Sequence, residues 1–105
     1  MTEENVKFLV EAAKRECKIT WSQEETEIQI EGIVQDAIPS IMHKLGIKEA
    51  DELDLVKPGM VRRLFLKFCL YAWNNMLEEF EHNYMAEILT ERHKYEVKYG
   101  KEESE

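Results

Sequence analysis

The sequence predicts an all-α protein, a small bundle of three to five helices, on three observations. Glycine (4) and proline (2) are scarce, so there are few places for the tight turns that a sheet of short strands needs. Glu, Lys, Leu, Ala and Met are abundant, and these side chains lose little rotamer freedom in a helix. Apolar residues recur at steps of three and four along most of the chain, the period of an amphipathic helix. At 105 residues the chain reads as one domain, able to bury roughly two thirds of the surface its unfolded form exposes. The hydrophobic fraction of 44% argues against disorder.

Asn5 to Cys17 reads as a first helix, with Phe8, Leu9, Ala12, Ala13 and Cys17 on one face and Thr2 or Asn5 as its cap. The link "KITW" is short, and Ile19 and Trp21 are expected to tuck against the domain. Ser22 with Glu25 three residues on has the spacing of a capping box and marks the start of a second helix. Along it Ile30, Ile33, Val34, Ala37, Ile38, Ile41, Met42 and Leu45 follow one stripe, and Gly46 suits the left-handed position after its end. Pro39 lies inside this run and removes a bond to the Gln35 carbonyl, so a kink is expected there.

From Ile47 to Gly59 the periodicity fails. "IKEADELDLVKPG" holds four acids and a Pro-Gly pair, and reads as an irregular surface loop with a helical turn near Glu49 to Leu53. A third run starts at Pro58 to Met60 and keeps helical periodicity to Tyr95. Unbroken, it would be a helix of about 36 residues, or roughly 54 Å, longer than a domain of this size needs. A break or bend is therefore expected at "EHNY", Glu81 to Tyr84. The division is then a helical domain over residues 1–95 and, over 96–105, a short extended segment (Glu96 to Tyr99) and an acidic tail.

The third run raises the functional question. Val61, Phe65, Phe68, Ala72, Met76 and Phe80 make one apolar stripe, which reads as the core face. Leu66, Leu70, Trp73 and Leu77 make a second, a hundred degrees or more away. It is covered either by the chain's own helices or by another protein, since an exposed patch with Trp and Leu marks an interaction site.

Candidate chemistry is sparse. Glu79 and His82 have the Glu-x-x-His spacing of carboxylate-bridged metal sites, but such a site needs a second pair. His43 and His93 follow Ser40 and Thr90 instead, so no metal or other cofactor is expected. No nucleotide-binding, nucleophile-elbow or zinc-protease pattern occurs, and the chain does not read as an enzyme. Cys17 and Cys69 sit among apolar residues and read as buried free thiols of a reducing compartment, a disulfide being the alternative. The formal net charge of −8 repels phosphate and disfavours nucleic-acid binding. Arg62 and Arg63 are too few to reverse this, and fit better as partners of the acidic loop or of another subunit's acidic surface. The start "MTEENVKF" lacks a leader, and no apolar stretch of about 18 residues occurs, which argues against secretion and membrane spanning.

"FLVEAAKRECKITWSQEET", "IVQDAIPSIMHKLGI" and "KPGMVRRLFLKFCLYAWNNMLEEFEHNYMAEILTERHKYEVKYG" together resemble the small head-tail connector proteins of tailed phages and prophages of Gram-positive bacteria. The most specific parts are Ala37 to Ile47 and Leu70 to Tyr84. The resemblance implies a helical virion structural protein, monomeric when free. It would assemble as a ring of about a dozen copies under the portal protein, offering a platform for the next connector or tail-completion protein. DNA would pass through without specific binding. The implied location is the head-tail interface of the virion, and the host cytoplasm during assembly. Subunit and partner contacts are expected on Leu66, Leu70, Trp73 and Leu77, on the loop Ile47 to Lys57, and on Tyr95, Val97 and Tyr99. The alternative reading is a small prophage-encoded interaction module that binds one host or phage protein through the Trp73 stripe.

Overall fold

A computed structural model of the chain describes residues 2–48 and 54–103. Among these residues all regular structure is helical, in the order α1 (Glu3–Glu16), α2 (Glu24–Leu45), α3 (Met60–Trp73) and α4 (Leu77–Glu103). α2 and α3 form a central pair, each packed on the other three helices, with α1 and α4 flanking them.

α1 starts where Thr2 Oγ1 accepts the Asn5 N–H at 3.1 Å. Glu3 and Glu4 in its first turn and Lys14 and Arg15 in its last complement the helix dipole. Leu9, Val10, Ala12 and Ala13 are buried. Phe8, expected on the core face, points outward instead, and the Arg62 guanidinium lies 5.9 Å from its ring centre.

The capping box of α2 does not form. The helix begins at Glu24, so Ser22 sits one position too early to cap it, and the capping residue Gln23 makes no side-chain bond. Three acids in the first turn, Glu24, Glu25 and Glu27, complement the dipole there. Ile19 is buried as expected, but Trp21 stays largely exposed and donates from Nε1 to Thr26 Oγ1 at 3.0 Å. The expected stripe holds: Ile30, Val34, Ala37, Ile41 and Leu45 are buried, and Ile33, Ile38 and Met42 pack beside them. α2 runs on through Pro39, which faces the exposed side.

α1, α2 and α3 end in the same way. A residue turns left-handed after each (Lys18 at φ 59°, Gly46 at φ 70°, Asn75 at φ 57°), and the next N–H reaches back to close the helix. Those closing bonds run from Ile19 to the Lys14 carbonyl at 2.9 Å, from Ile47 to Met42 at 2.9 Å, and from Met76 to Tyr71 at 2.7 Å. Ile19 and Ile47 then bury their side chains, pinning the chain as it leaves.

The long third run breaks twice. The turn Asn74 to Met76 splits it, with Asn74 Nδ2 donating to the Leu70 carbonyl at 2.9 Å, and α4 bends at Tyr84 (φ −118°, ψ 17°), inside the stretch where a bend was expected. Because the first break falls at Asn74 to Met76, Met76 leaves the core stripe and is exposed. Phe80 still reaches the core, from the returning helix.

Residues Glu96 to Tyr99 are helical, not extended, and α4 continues to Glu103. Tyr84, Ile88, Tyr95 and Tyr99 continue the Phe80 stripe at helical spacing, so the core-facing period persists past the expected end. The helical turn expected at Glu49 to Leu53 lies outside the described residues. On either side of it Ile47 and Leu55 are buried.

Gly32 sits mid-helix on the exposed side of α2, and a Cβ there would meet nothing within 4 Å. Gly32→Ala should therefore stabilise the chain by about 1 kcal/mol and raise its thermal midpoint by roughly 4–8 °C in calorimetry. An unchanged or lowered midpoint would show that the position is not open.

Candidate assembly surface

α3 positions the expected contact residues unevenly. Leu66, Leu70 and Trp73 are half-buried within the single chain, and Leu66 and Trp73 pack against the core. α1 provides part of that cover: Leu66 shares a pocket with Ala12 and Glu16, and the Glu16 carboxylate accepts from Lys67 Nζ at 2.7 Å. Hydrogen bonding to Glu16 raises the Lys67 pKa against the opposing effect of burial. The only charged residue between Leu64 and Trp73 is thus neutralised from within the fold.

Leu77 is different. It is 42% exposed at the first position of α4 and borders a groove of about 520 Å³ between α2 and the α3 to α4 corner. Ile33, Pro39, Phe68 and Ala72 supply its apolar lining, with Asp36 and Ser40 as polar edges. The corner behind Leu77 is braced by rings. Phe80 meets Phe68 edge-on at 5.5 Å and Tyr71 at 5.9 Å, Tyr84 stacks at 5.4 Å from Phe80, and Asn83 Nδ2 donates to the Tyr71 hydroxyl at 2.9 Å.

The tail contacts divide by face. Tyr99 is buried: its hydroxyl accepts the Lys48 N–H at 2.9 Å, and Lys48 Nζ lies 4.6 Å above its ring. Tyr95 stacks toward it at 6.4 Å and is half-buried. These two rings tie α4 to the exit of α2. Val97, on the opposite side, is 44% exposed.

Val97 belongs to a row that sequence reasoning missed. Met85, Leu89 (54% exposed) and Val97 lie four and eight residues apart, and at 3.6 residues per turn they fan over roughly a third of the circumference on the outer side of α4. The spacing is visible in the sequence, but only with the core stripe of this helix assigned to Tyr84, Ile88, Tyr95 and Tyr99 does Met85–Leu89–Val97 separate as a second face. The four residues of open apolar character on α4, Leu77 included, are only about half covered by the single chain.

Glu79 and His82 are both exposed, and among the described residues no three His, Cys, Asp or Glu side chains gather closely enough to hold a metal ion. No described helix is long and apolar enough to cross a membrane. Comparison of the chain with protein-family models, with curated proteins and with solved structures finds no match.

Both thiols are free, Cys69 buried and Cys17 half-buried. Burial pushes Cys69 up to about 12, with smaller contributions from Cys17 and Glu16, and pushes Cys17 up to about 11, with a smaller contribution from Glu16. Neither is a nucleophile at neutral pH. Unfolded thiols lose their protons near 9.0, while the folded ones keep them, so the native state holds more protons above that pH. The thiols' contribution to stability should be full below pH 9.0 and fall as pH rises from there toward about 12. Thermal midpoints taken across that range should decline, and the double variant Cys17→Ala/Cys69→Ala should decline less steeply.

The two parts of the expected stripe are separable by mutation. Trp73→Ala should cost about 2 kcal/mol, roughly half the value for a fully buried Trp, because its ring packs partly on the core. Leu77→Ala should change stability by no more than about 0.5 kcal/mol, as at other exposed sites. Urea titrations of both variants measure the contrast, and equal costs would contradict it.

Proposed function

We propose that the chain is a virion structural adaptor of the head-tail connector type, a ring of about a dozen copies beneath the portal that extends the DNA channel. The observation that carries this reading is the set of large apolar side chains that one copy leaves about half exposed: Leu77 at the braced corner and Met85, Leu89 and Val97 along the outer side of α4. Apolar side chains gathered on one exposed helix side favour a protein partner over solvent. The resemblance of Ala37 to Ile47 and Leu70 to Tyr84 to connector proteins supplies the class of partner. The net charge of −8 supports the same reading, because an acidic wall lets DNA slide without sticking.

The neighbouring copy, the portal and the next connector divide the exposed surfaces among them, and Val97 and Leu77 lie at the two ends of α4 that reach them. The test is the position of its gene relative to portal and capsid genes, with electron microscopy and light scattering of the purified chain mixed with a portal protein of the same genome. Rings seated on the portal are expected. Single chains alone, with portal present, would overturn the proposal, as would a gene position far from portal and capsid genes.

A further inference from the structure

Two surfaces on either side of α1 carry opposite charge and matching apolar centres. On one side Glu3, Val6, Lys7, Val10 and Glu11 line a groove of about 600 Å³ against Glu27, Glu31 and Gln35 of α2. Val10 is buried at its floor and Val6 is half-buried beside it. Lys14 pairs with Glu27 and, at 3.5 Å, with Glu11, yet Glu3 and Glu31 have no ion-pair partner among the described residues. The groove is an apolar slot whose rim carries Glu3, Glu11, Glu27 and Glu31 against one cation, Lys7, and so is acidic in balance.

On the other side of α1, where Phe8, Ala12, Arg15 and Glu16 face α3, the corner that opens α3 projects a positive knob. Val56 is 40% exposed at its tip, Lys57 has a side chain 83% exposed, and Pro58 follows, also exposed. Arg62 holds this corner in shape by donating to the Val56 carbonyl at 2.8 Å. Arg63 is exposed and has no ion-pair partner among the described residues, and Lys57 is held to Asp54, its N–H donating to Oδ1 at 3.2 Å and its Nζ lying 3.6 Å from Oδ2. No acid lies in the first turn of α3, so the helix does not offset its own positive end.

Residues three and four apart share a helix face, so Glu3, Lys7 and Glu11 line one side of α1 while Phe8, Ala12 and Arg15 line the other. Knob and groove therefore cannot close on each other within one chain. We infer that the α1–α2 groove receives the Val56–Lys57–Pro58 knob of a second copy, with Lys57 and Arg63 of that copy meeting Glu11 and Glu31. The contact is head-to-tail, so each copy keeps one free knob and one free groove, and the series continues until it closes into a ring or grows as a filament. This rests on the self-association in the adaptor reading and specifies the surfaces that mate.

The experiment is sedimentation velocity on the chain and two charge reversals, Glu11→Lys/Glu31→Lys and Lys57→Glu/Arg63→Glu, with circular dichroism confirming an unchanged fold. The native chain should associate as its concentration rises in about 50 mM salt, and less so at about 500 mM, where the screening length is only a few ångströms. Each reversal alone should weaken association at least tenfold. An equimolar mixture should restore it, because the unchanged knob of the first fits the unchanged groove of the second, and the two reversed surfaces also match. Native chain that sediments as a single copy at every concentration would overturn the inference. So would association that persists in both reversals or a mixture that fails to recover. Persistence in both reversals, with rings still formed on the portal, would leave the adaptor reading standing and place the contact elsewhere.

Discussion

The fold depends on covering α3. From Leu64 to Trp73 this helix carries one charge, Lys67, and its apolar surface extends nearly all the way round. Each large apolar side chain moved from water into the interior stabilises the fold by about 1.5–3 kcal/mol, so a chain of this size gains most by wrapping its greasiest helix on every side. α2 covers one face, α4 returns over another, and α1 closes over the Leu66 side, where the bond from Lys67 to Glu16 lets the single cation sit between two helices. The fold is thus arranged around a helix that one partner would leave half in water.

How the chain turns decides what remains outside. Lys18, Gly46 and Asn75 each adopt the left-handed conformation that ends a helix and sends the chain back across the bundle. After the first two an isoleucine is buried at once, and the returning chain is locked to the core. After Asn75 the next residues are Met76 and Leu77, both exposed, and burial resumes only at Phe80. The third turn lifts two apolar residues to the surface at a corner that Phe68, Tyr71, Phe80 and Tyr84 hold rigid. A rigid apolar corner loses little conformational freedom on binding, which favours its use as a contact.

Much of this was legible in the sequence. The helical class, the α2 stripe from Ile30 to Leu45, the Gly46 ending, the Thr2 cap and the bend at Tyr84 all follow from local rules. The ending at Asn75 was not, because Asn75 occupies a conformation whose usual marker is glycine, and its closing bond depends on where the chain goes next. The Ser22 and Glu25 box misled for a related reason: a cap works only if the helix starts immediately after it, and α2 starts at Glu24. The tail misled because Tyr99 looks like one residue of a polar end, whereas its ring and hydroxyl find Lys48 across the fold and hold α4 helical. For the candidate site, the second stripe was visible but its cover was not. Leu66 and Trp73 depend on how close α1 and the core come, a property of packing that no single helix encodes.

That cover shifts where the proposed assembly would act. If α3's second stripe is largely satisfied within one copy, burying it again adds little, and the free energy of a contact has to come from surface that is still wet. Two kinds remain: apolar side chains on Leu77 and the outer face of α4, and charge divided unevenly across α1, acids in excess on one side and bases in excess on the other. They do different work. Apolar contact is strong but nearly directionless, and would allow copies to join in several registers, whereas opposed charges fix orientation and penalise the wrong one. A chain with both, on different faces, has the means to add copies in one sense only, with α4 left to meet whatever lies above or below. In the adaptor reading this division gives the most apolar helix in the sequence the part of a scaffold, which holds the two proposed assembly surfaces at fixed angles.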